Sequence, residues 1–196
     1  MLNFGGNQSW TPQTVVTPAT AEELLAVLRE HRGRRIRVVG RLHCWSRAVV
    51  ADDVLIDLRR MNQVTVHQEG DRAWAEVGAG CQIKHLLAEL IRQGDYTLPT
   101  LGAITAQTIA GAAATGTHGS GRPSLSHYPT AVTVVGYDPV SGEPALRVID
   151  GGDELRSARC SLGALGIVTK VRIPIRRQYQ VEEHFRRYER LDQVLA

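Results

Sequence analysis

Long apolar runs are missing from this sequence, so no segment reaches the roughly 20 apolar residues that a membrane-spanning helix needs. The N-terminus also lacks the charged and apolar regions of a secretory leader. Aromatic residues make up only 5% of the chain, and none stands beside its short basic run, Arg34, Arg35 and Arg37. The formal net charge is only +3. Neither the electrostatic footprint nor the stacking platform of a nucleic-acid binder is present. Cysteine is scarce, with Cys44, Cys81 and Cys160 widely spaced. An odd, scattered set is not a disulfide framework and fits a reducing, cytoplasmic setting. Cys81 and His85 have helical i, i+4 spacing, but no second close pair completes a zinc site, so no metal is expected. No GxGxxG joins a strand to a helix, and no glycine-rich loop ends in Gly-Lys-Ser/Thr, which excludes the Rossmann fingerprint and the phosphate loop.

What remains is a chain of 196 residues with ordinary apolar content, long enough for one large domain or two closely packed lobes. Thr20 and Glu23 have capping-box spacing ahead of Leu24, Val27 and Leu28, which share a helix face, and Gly33 ends that helix. Strands are expected at Ile36 to Val39, Val54 to Leu58, Val64 to Val66 and Ala73 to Val77. A turn at Gly78-Ala79-Gly80 leads into a second helix with Ile83, Leu86, Leu87 and Leu90 on one side and Gly94 as its C-terminal cap. Ala131 to Tyr137 and Leu146 to Ile149 read as strands joined by the turn Asp138 to Gly142. Asp153 to Arg159 reads as one or two helical turns, and Ile167 to Ile175 as a long strand.

Three stretches carry chemistry. In Thr108 to Gly121, nearly every side chain is small. Such a run lets a backbone approach a bulky ligand and aims successive N–H groups at an anion. It equally suits a tight packing crossing that binds nothing. In Val38 to Ser46, a strand ends at Gly40 and His43 sits in the turn that follows. Amides at a strand end bind phosphate, and a neutral imidazole is a nucleophile, but a turn histidine also commonly bonds its own loop. In Ser161 to Thr169, Gly163 and Gly166 form a tight loop entering a strand, which is also compatible with pure scaffold.

Taken together, these residues resemble the FAD-binding domain of the vanillyl-alcohol oxidase superfamily, nearest to its alditol oxidase and gulonolactone and arabinonolactone oxidase branch. The likeness lies in the strand–turn–His of Gly40 to His43, in Gly-Thr-His-Gly-Ser-Gly at Gly116 to Gly121, and in Ser-Leu-Gly-Ala-Leu-Gly-Ile-Val-Thr at Ser161 to Thr169. Asn3 to Pro12 is similar to that branch's N-terminal signature. The resemblance implies an α+β, two-lobed FAD-binding fold: a small α/β lobe over residues 1–80, and a larger lobe over 81–180 with a mixed or antiparallel sheet flanked by helices. Residues 181–196 would begin an absent substrate domain, or form a tail.

The resemblance further implies that Val39, Gly40, Arg41, Leu42, His43 and Cys44 hold the FAD diphosphate, with His43 as the site of covalent attachment. Ala103, Thr108, Gly111, Thr115, Gly116, Thr117 and His118 would line flavin and diphosphate, and Ile167 would face the adenine side. The chain departs from the family at Arg41 and Leu42, which stand where two small residues are usual. The expected activity is oxidation of a CH–OH group in a sugar alcohol or aldonolactone, with O2 or another acceptor reoxidising the flavin. No stretch matches a substrate domain, and no catalytic base can be named. The chain would therefore be a fragment, a subunit completed by a separate substrate domain, or a reduced relative. The alternative is a non-catalytic flavin-binding module.

Overall fold

A computed structural model describes residues 1–195. The chain runs β1 (Thr14–Val16), α1 (Ala21–Glu30), β2 (Ile36–Val39), β3 (Val54–Asp57), β4 (Val64–Glu69), β5 (Arg72–Gly78), α2 (Ile83–Gly94) and β6 (Tyr96–Thr97). It continues through α3 (Ile109–Ala114), β7 (Ala131–Tyr137), β8 (Pro144–Ile149), α4 (Gly152–Ala158), β9 (Ile167–Pro174), β10 (Arg176–Arg177) and α5 (Asp192–Leu195).

Two main sheets result. β1, β3 and β2 form a parallel sheet with β3 at its centre, and all four β3 residues are buried. β4, β5, β9, β7 and β8 form an antiparallel sheet in that order. The result is the expected α+β architecture of two lobes. Sheet membership cuts across residues 1–80, however. β4 and β5 lie within residues 1–80 but pair into the five-stranded sheet through Trp74–Pro174 and Val77–Val171. The strands of the three-stranded sheet end at Asp57, and those of the five-stranded sheet begin at Val64. The alternation of strands in the sequence does not show which partner each strand finds, and β5 finds β9, which lies far along the chain.

Local signals explain most elements. Thr20 Oγ1 accepts the Glu23 N–H at 3.1 Å, and Glu23 Oε2 reaches back to the Ala19 N–H at 2.8 Å. That closes the capping box one residue earlier than its spacing implies. The left-handed cap of α2 is Asp95, at φ 58°, rather than Gly94. The β7–β8 turn forms as expected, with Asp138 Oδ1 accepting the N–H groups of Val140 and Ser141. β8 begins at Pro144, two residues before the apolar pattern.

One apolar cluster packs α2 and α3 on the five-stranded sheet through Ala75, Leu86, Leu90, Ile109, Val171 and Ile173. A second joins the lobes: Leu24 and Leu28 of α1, Val54 and Ile56 of β3, Leu58, Met61 and Ala79 meet Val135 of β7. Gly80 makes that junction possible, because a Cβ there would lie 1.8 Å from the Leu58 carbonyl oxygen. α1 is further tied to β7 by the Tyr137 hydroxyl, which donates to the Leu28 carbonyl at 2.6 Å.

Replacing Ile56 with Ala should cost about 2–5 kcal/mol of stability, read from urea unfolding, because it removes a fully buried side chain from the junction. The outer face of the sheet supplies a pH test. Hydrogen bonds from Arg172 and then Lys170 hold the Glu76 carboxyl below its usual 4.5. A carboxyl depressed in the folded state stabilises above its unfolded value, and that contribution is lost as pH falls through the folded value. Glu76→Gln should therefore destabilise at neutral pH, and its gap from wild type should close as pH drops below about 4.5. A gap constant down to the acid transition would contradict this.

Candidate functional site

The two main stretches singled out in the sequence meet in space. β2 ends at buried Val39, and Gly40 lies so close to Thr108 that a Cβ would fall 2.5 Å from the Thr108 Oγ1. Thr108 is buried and caps α3, its Oγ1 accepting the Gly111 N–H at 3.2 Å. The first half of the small-residue run is thus a helix, α3. Alanine is the best helix former, and the threonine N-cap starts it. α2 anchors this start, because Ile109 N–H donates to the Cys81 carbonyl and Ile83 N–H to the Gln107 carbonyl, both at 2.9 Å.

Beyond α3 the chain folds back. The Thr115 Oγ1 bonds the Gly111 carbonyl at 3.0 Å, Gly116 takes φ 65°, and Thr117 N–H donates to the Ala112 carbonyl at 3.0 Å. Gly102, beside exposed Ala103, runs against Thr117: a Cβ there would lie 2.7 Å from the Thr117 Cγ2. His118 is exposed, with Nδ1 3.0 Å from the Gly119 carbonyl. Ile167 packs behind α3, in the cluster that also takes in Ala110. Its strand starts after a loop that carries Leu162 at φ 50° and Gly166 at φ 123°. Residues from Ala103 to His118 therefore surround α3, the β2 turn abuts its N-terminus, and Ile167 stands behind it.

The turn itself is unusual. Leu42 has φ 58°, a left-handed conformation that costs a non-glycine residue about 1–3 kcal/mol. The amides of Arg41, Leu42, His43 and Cys44 donate to no protein group among the described residues, and neither do those of His118, Ser120 and the two glycines Gly119 and Gly121. Next to Thr108, the Gln107 Oε1 is buried without a protein partner among the described residues. The site thus offers two runs of free donors and one orphaned acceptor, all around a surface of small side chains. Such amide runs suit a diphosphate.

Sequence reasoning missed what holds the turn. Phe4 N–H donates to the Leu42 carbonyl at 3.1 Å, Asn3 Nδ2 to the Cys44 carbonyl at 2.9 Å and Asn7 Nδ2 to the Trp45 carbonyl at 3.0 Å. The Phe4 ring stacks on His43 at 4.6 Å. These bonds offset the strain at Leu42. No local pattern predicts a contact across some forty residues; the only signal was the Asn3 to Pro12 signature.

Cys81 and His85 do not share a face, since Cys81 is buried and His85 exposed. Among the described residues, no group of three or more His, Cys, Asp or Glu could hold a metal, and no helix is long and apolar enough to cross a membrane. Burial pushes the Cys81 thiol up to about 11, with the Glu89 charge adding to the effect. A thiol reagent at mildly alkaline pH should modify exposed Cys160 within minutes and leave Cys81 intact until the protein unfolds. Rapid labelling of Cys81 in the folded state would overturn this burial.

The chain is 54% identical, over 98% of its length, to a long-chain alcohol oxidase of an uncultured marine euryarchaeote, covering 40% of that protein. It is 29% identical to the L-gulono-1,4-lactone dehydrogenase of Mycobacterium tuberculosis, over 98% of this chain and 46% of that one. Against the alditol oxidase of a Streptomyces species it is also 29% identical, over 94% of this chain and 44% of the other. The chain thus spans less than half the length of these relatives. Among solved structures, cholesterol oxidase from B. sterolicum superposes with a TM-score of 0.72 at 24% identity, over 82% of this chain and 34% of that one. Physcomitrella patens BBE-like 1 gives a TM-score of 0.71 at 22% identity, over 89% and 38%. These two establish the fold alone. The profile of the FAD binding domain family matches residues 12–138, which take in both the β2 turn and the whole of the small-residue run, and the chain therefore belongs to that family, within the vanillyl-alcohol oxidase superfamily.

Proposed function

We propose that this chain is the flavin-holding portion of an FAD-linked oxidase or dehydrogenase that oxidises a CH–OH group of a sugar alcohol or aldonolactone. O2 or another acceptor would take up the electrons. The observation that carries this reading is the junction of the Gly40 turn with the Thr108 N-cap, where free amides and small side chains converge. The relatives named above share a chemistry, since an alcohol, an alditol and an aldonolactone each present a hydroxyl-bearing carbon.

When bound, FAD supplies the hydride acceptor. In this proposal the amides of Arg41 to Cys44 and His118 to Gly121 bind the diphosphate, and the Arg41 guanidinium adds a charge-assisted contact. Val39, Gly40, Ala103, Thr108, Gly111 and Thr115 to Thr117 form the close-packed wall that excludes water from the cofactor. Ile167 supports the adenine end from behind α3. His43 is the tether, half-buried in that turn. The residue that accepts the substrate hydroxyl proton would come from a substrate domain. The relatives' greater length also favours a second reading, in which this chain alone binds FAD without turning over a substrate.

The two readings separate when the chain alone and a longer version, both loaded with FAD, are mixed anaerobically with a polyol panel. Bleaching of the flavin absorbance in the longer version only supports the module reading for the chain alone. Bleaching in neither removes the assigned activity. The tether is tested by acid precipitation of the holoprotein: flavin should stay in the pellet for wild type and leave it for His43→Ala. A colourless wild-type pellet rules it out. Gly40→Ala should weaken FAD binding at least tenfold, about 1.4 kcal/mol, because its Cβ displaces the Thr108 hydroxyl. Unchanged affinity in a fluorescence titration would remove Gly40 from the site.

A further inference from the structure

We propose that Phe4 is a positioning residue for His43, its ring setting the plane of the imidazole that the turn presents to the flavin. The inference rests on the reading of His43 as the flavin-facing group of that turn. Among the described residues, neither His43 ring nitrogen makes a hydrogen bond to protein, so no polar contact orients the ring. The stack does. The Phe4 and His43 centroids lie 4.6 Å apart with an interplanar angle of 26°. Trp45 meets the same Phe4 edge-on, at 4.6 Å and 71°.

The three rings cannot drift apart, because the backbone carrying Phe4 is tied to the turn on both sides of His43. Phe4 N–H holds the Leu42 carbonyl, and buried Asn3, only 2% exposed, holds the Cys44 carbonyl. Gly5 completes the arrangement, since a Cβ there would sit 2.5 Å from the Trp45 ring. Phe4 itself is 50% exposed and belongs to no apolar core cluster. A large apolar side chain in that position is not explained by core packing. Torsion about the imidazole's Cβ–Cγ bond is broad when nothing restrains it, and a ring stacked on one face removes that freedom while leaving both nitrogens open at the edge.

The experiment compares wild type, Phe4→Leu, Phe4→Tyr, His43→Ala and the double variant Phe4→Leu/His43→Ala, all at full length and loaded with FAD. Two flavin readouts are taken: the fraction retained in an acid precipitate and the position of the near-ultraviolet absorption band. NMR of the flavin-free protein follows the His43 ring protons. Phe4→Leu should move those protons downfield as the ring current is lost, shift the band and lower the acid-stable fraction severalfold, and Phe4→Tyr should restore all three. Placed in the His43→Ala background, Phe4→Leu should shift the band no further, because a residue acting through His43 has nothing left to act on.

An equal Phe4→Leu effect with and without His43 would make the role merely structural and overturn the proposal. So would unchanged His43 resonances in Phe4→Leu. If wild type holds no acid-stable flavin, the tether reading fails alone, and the band position and ring-proton shifts still decide whether Phe4 positions His43.

Discussion

The candidate site depends on one contact, the meeting of Gly40 with the Thr108 side chain. Each partner arrives there through its own lobe. Gly40 follows β2, which pairs with the fully buried β3, and β3 shares its apolar cluster with α1 and with Val135 of the larger sheet. Thr108 is fixed by the backbone bonds that tie Gln107 and Ile109 to Ile83 and Cys81 at the head of α2. The contact is therefore where two separately built frameworks come into register. It leaves no space for even a methyl group on Gly40.

Around that contact the backbone accepts a strain that packing alone would not require. Leu42 holds a left-handed backbone, and two runs of amides go without protein acceptors among the described residues. Strained dihedrals persist where surrounding structure over-determines them, and they concentrate at functional sites. The over-determining structure is the N-terminal segment, whose Asn3, Phe4 and Asn7 grip the carbonyls of Leu42, Cys44 and Trp45. Strain at the turn and order in the N-terminal segment are two aspects of one arrangement.

The parts of the fold that were legible in the sequence are those governed by near neighbours. Thr20 as a cap, the apolar face of α2, and the Asp138 to Gly142 turn all follow from local hydrogen bonding and periodicity. Strand partnership was not legible. β4 and β5 look like a continuation of the first strands, yet β4 pairs with β5 and β5 with β9 in the five-stranded sheet. The small-residue run was recognised by composition, but its composition fits both a loop and a helix. Only the position of Thr108 relative to Gly111 reveals that a helix begins there. Asp95 in place of Gly94 as the left-handed cap of α2 is a smaller instance of the same limit. Contacts between Phe4 and His43 link distant residues through an irregular segment, and no period or propensity encodes them.

The central claim is that FAD lies on the amide runs beside the Gly40–Thr108 contact. The most direct measurement is a titration of isotopically labelled, flavin-free protein with FAD, followed by amide NMR. The account predicts that the largest shifts fall on Arg41 to Cys44 and on His118 to Gly121. Outer-sheet amides around Glu76 and Arg172 should stay in place. Shifts confined to the outer sheet, or binding that leaves both amide runs unmoved, would contradict it.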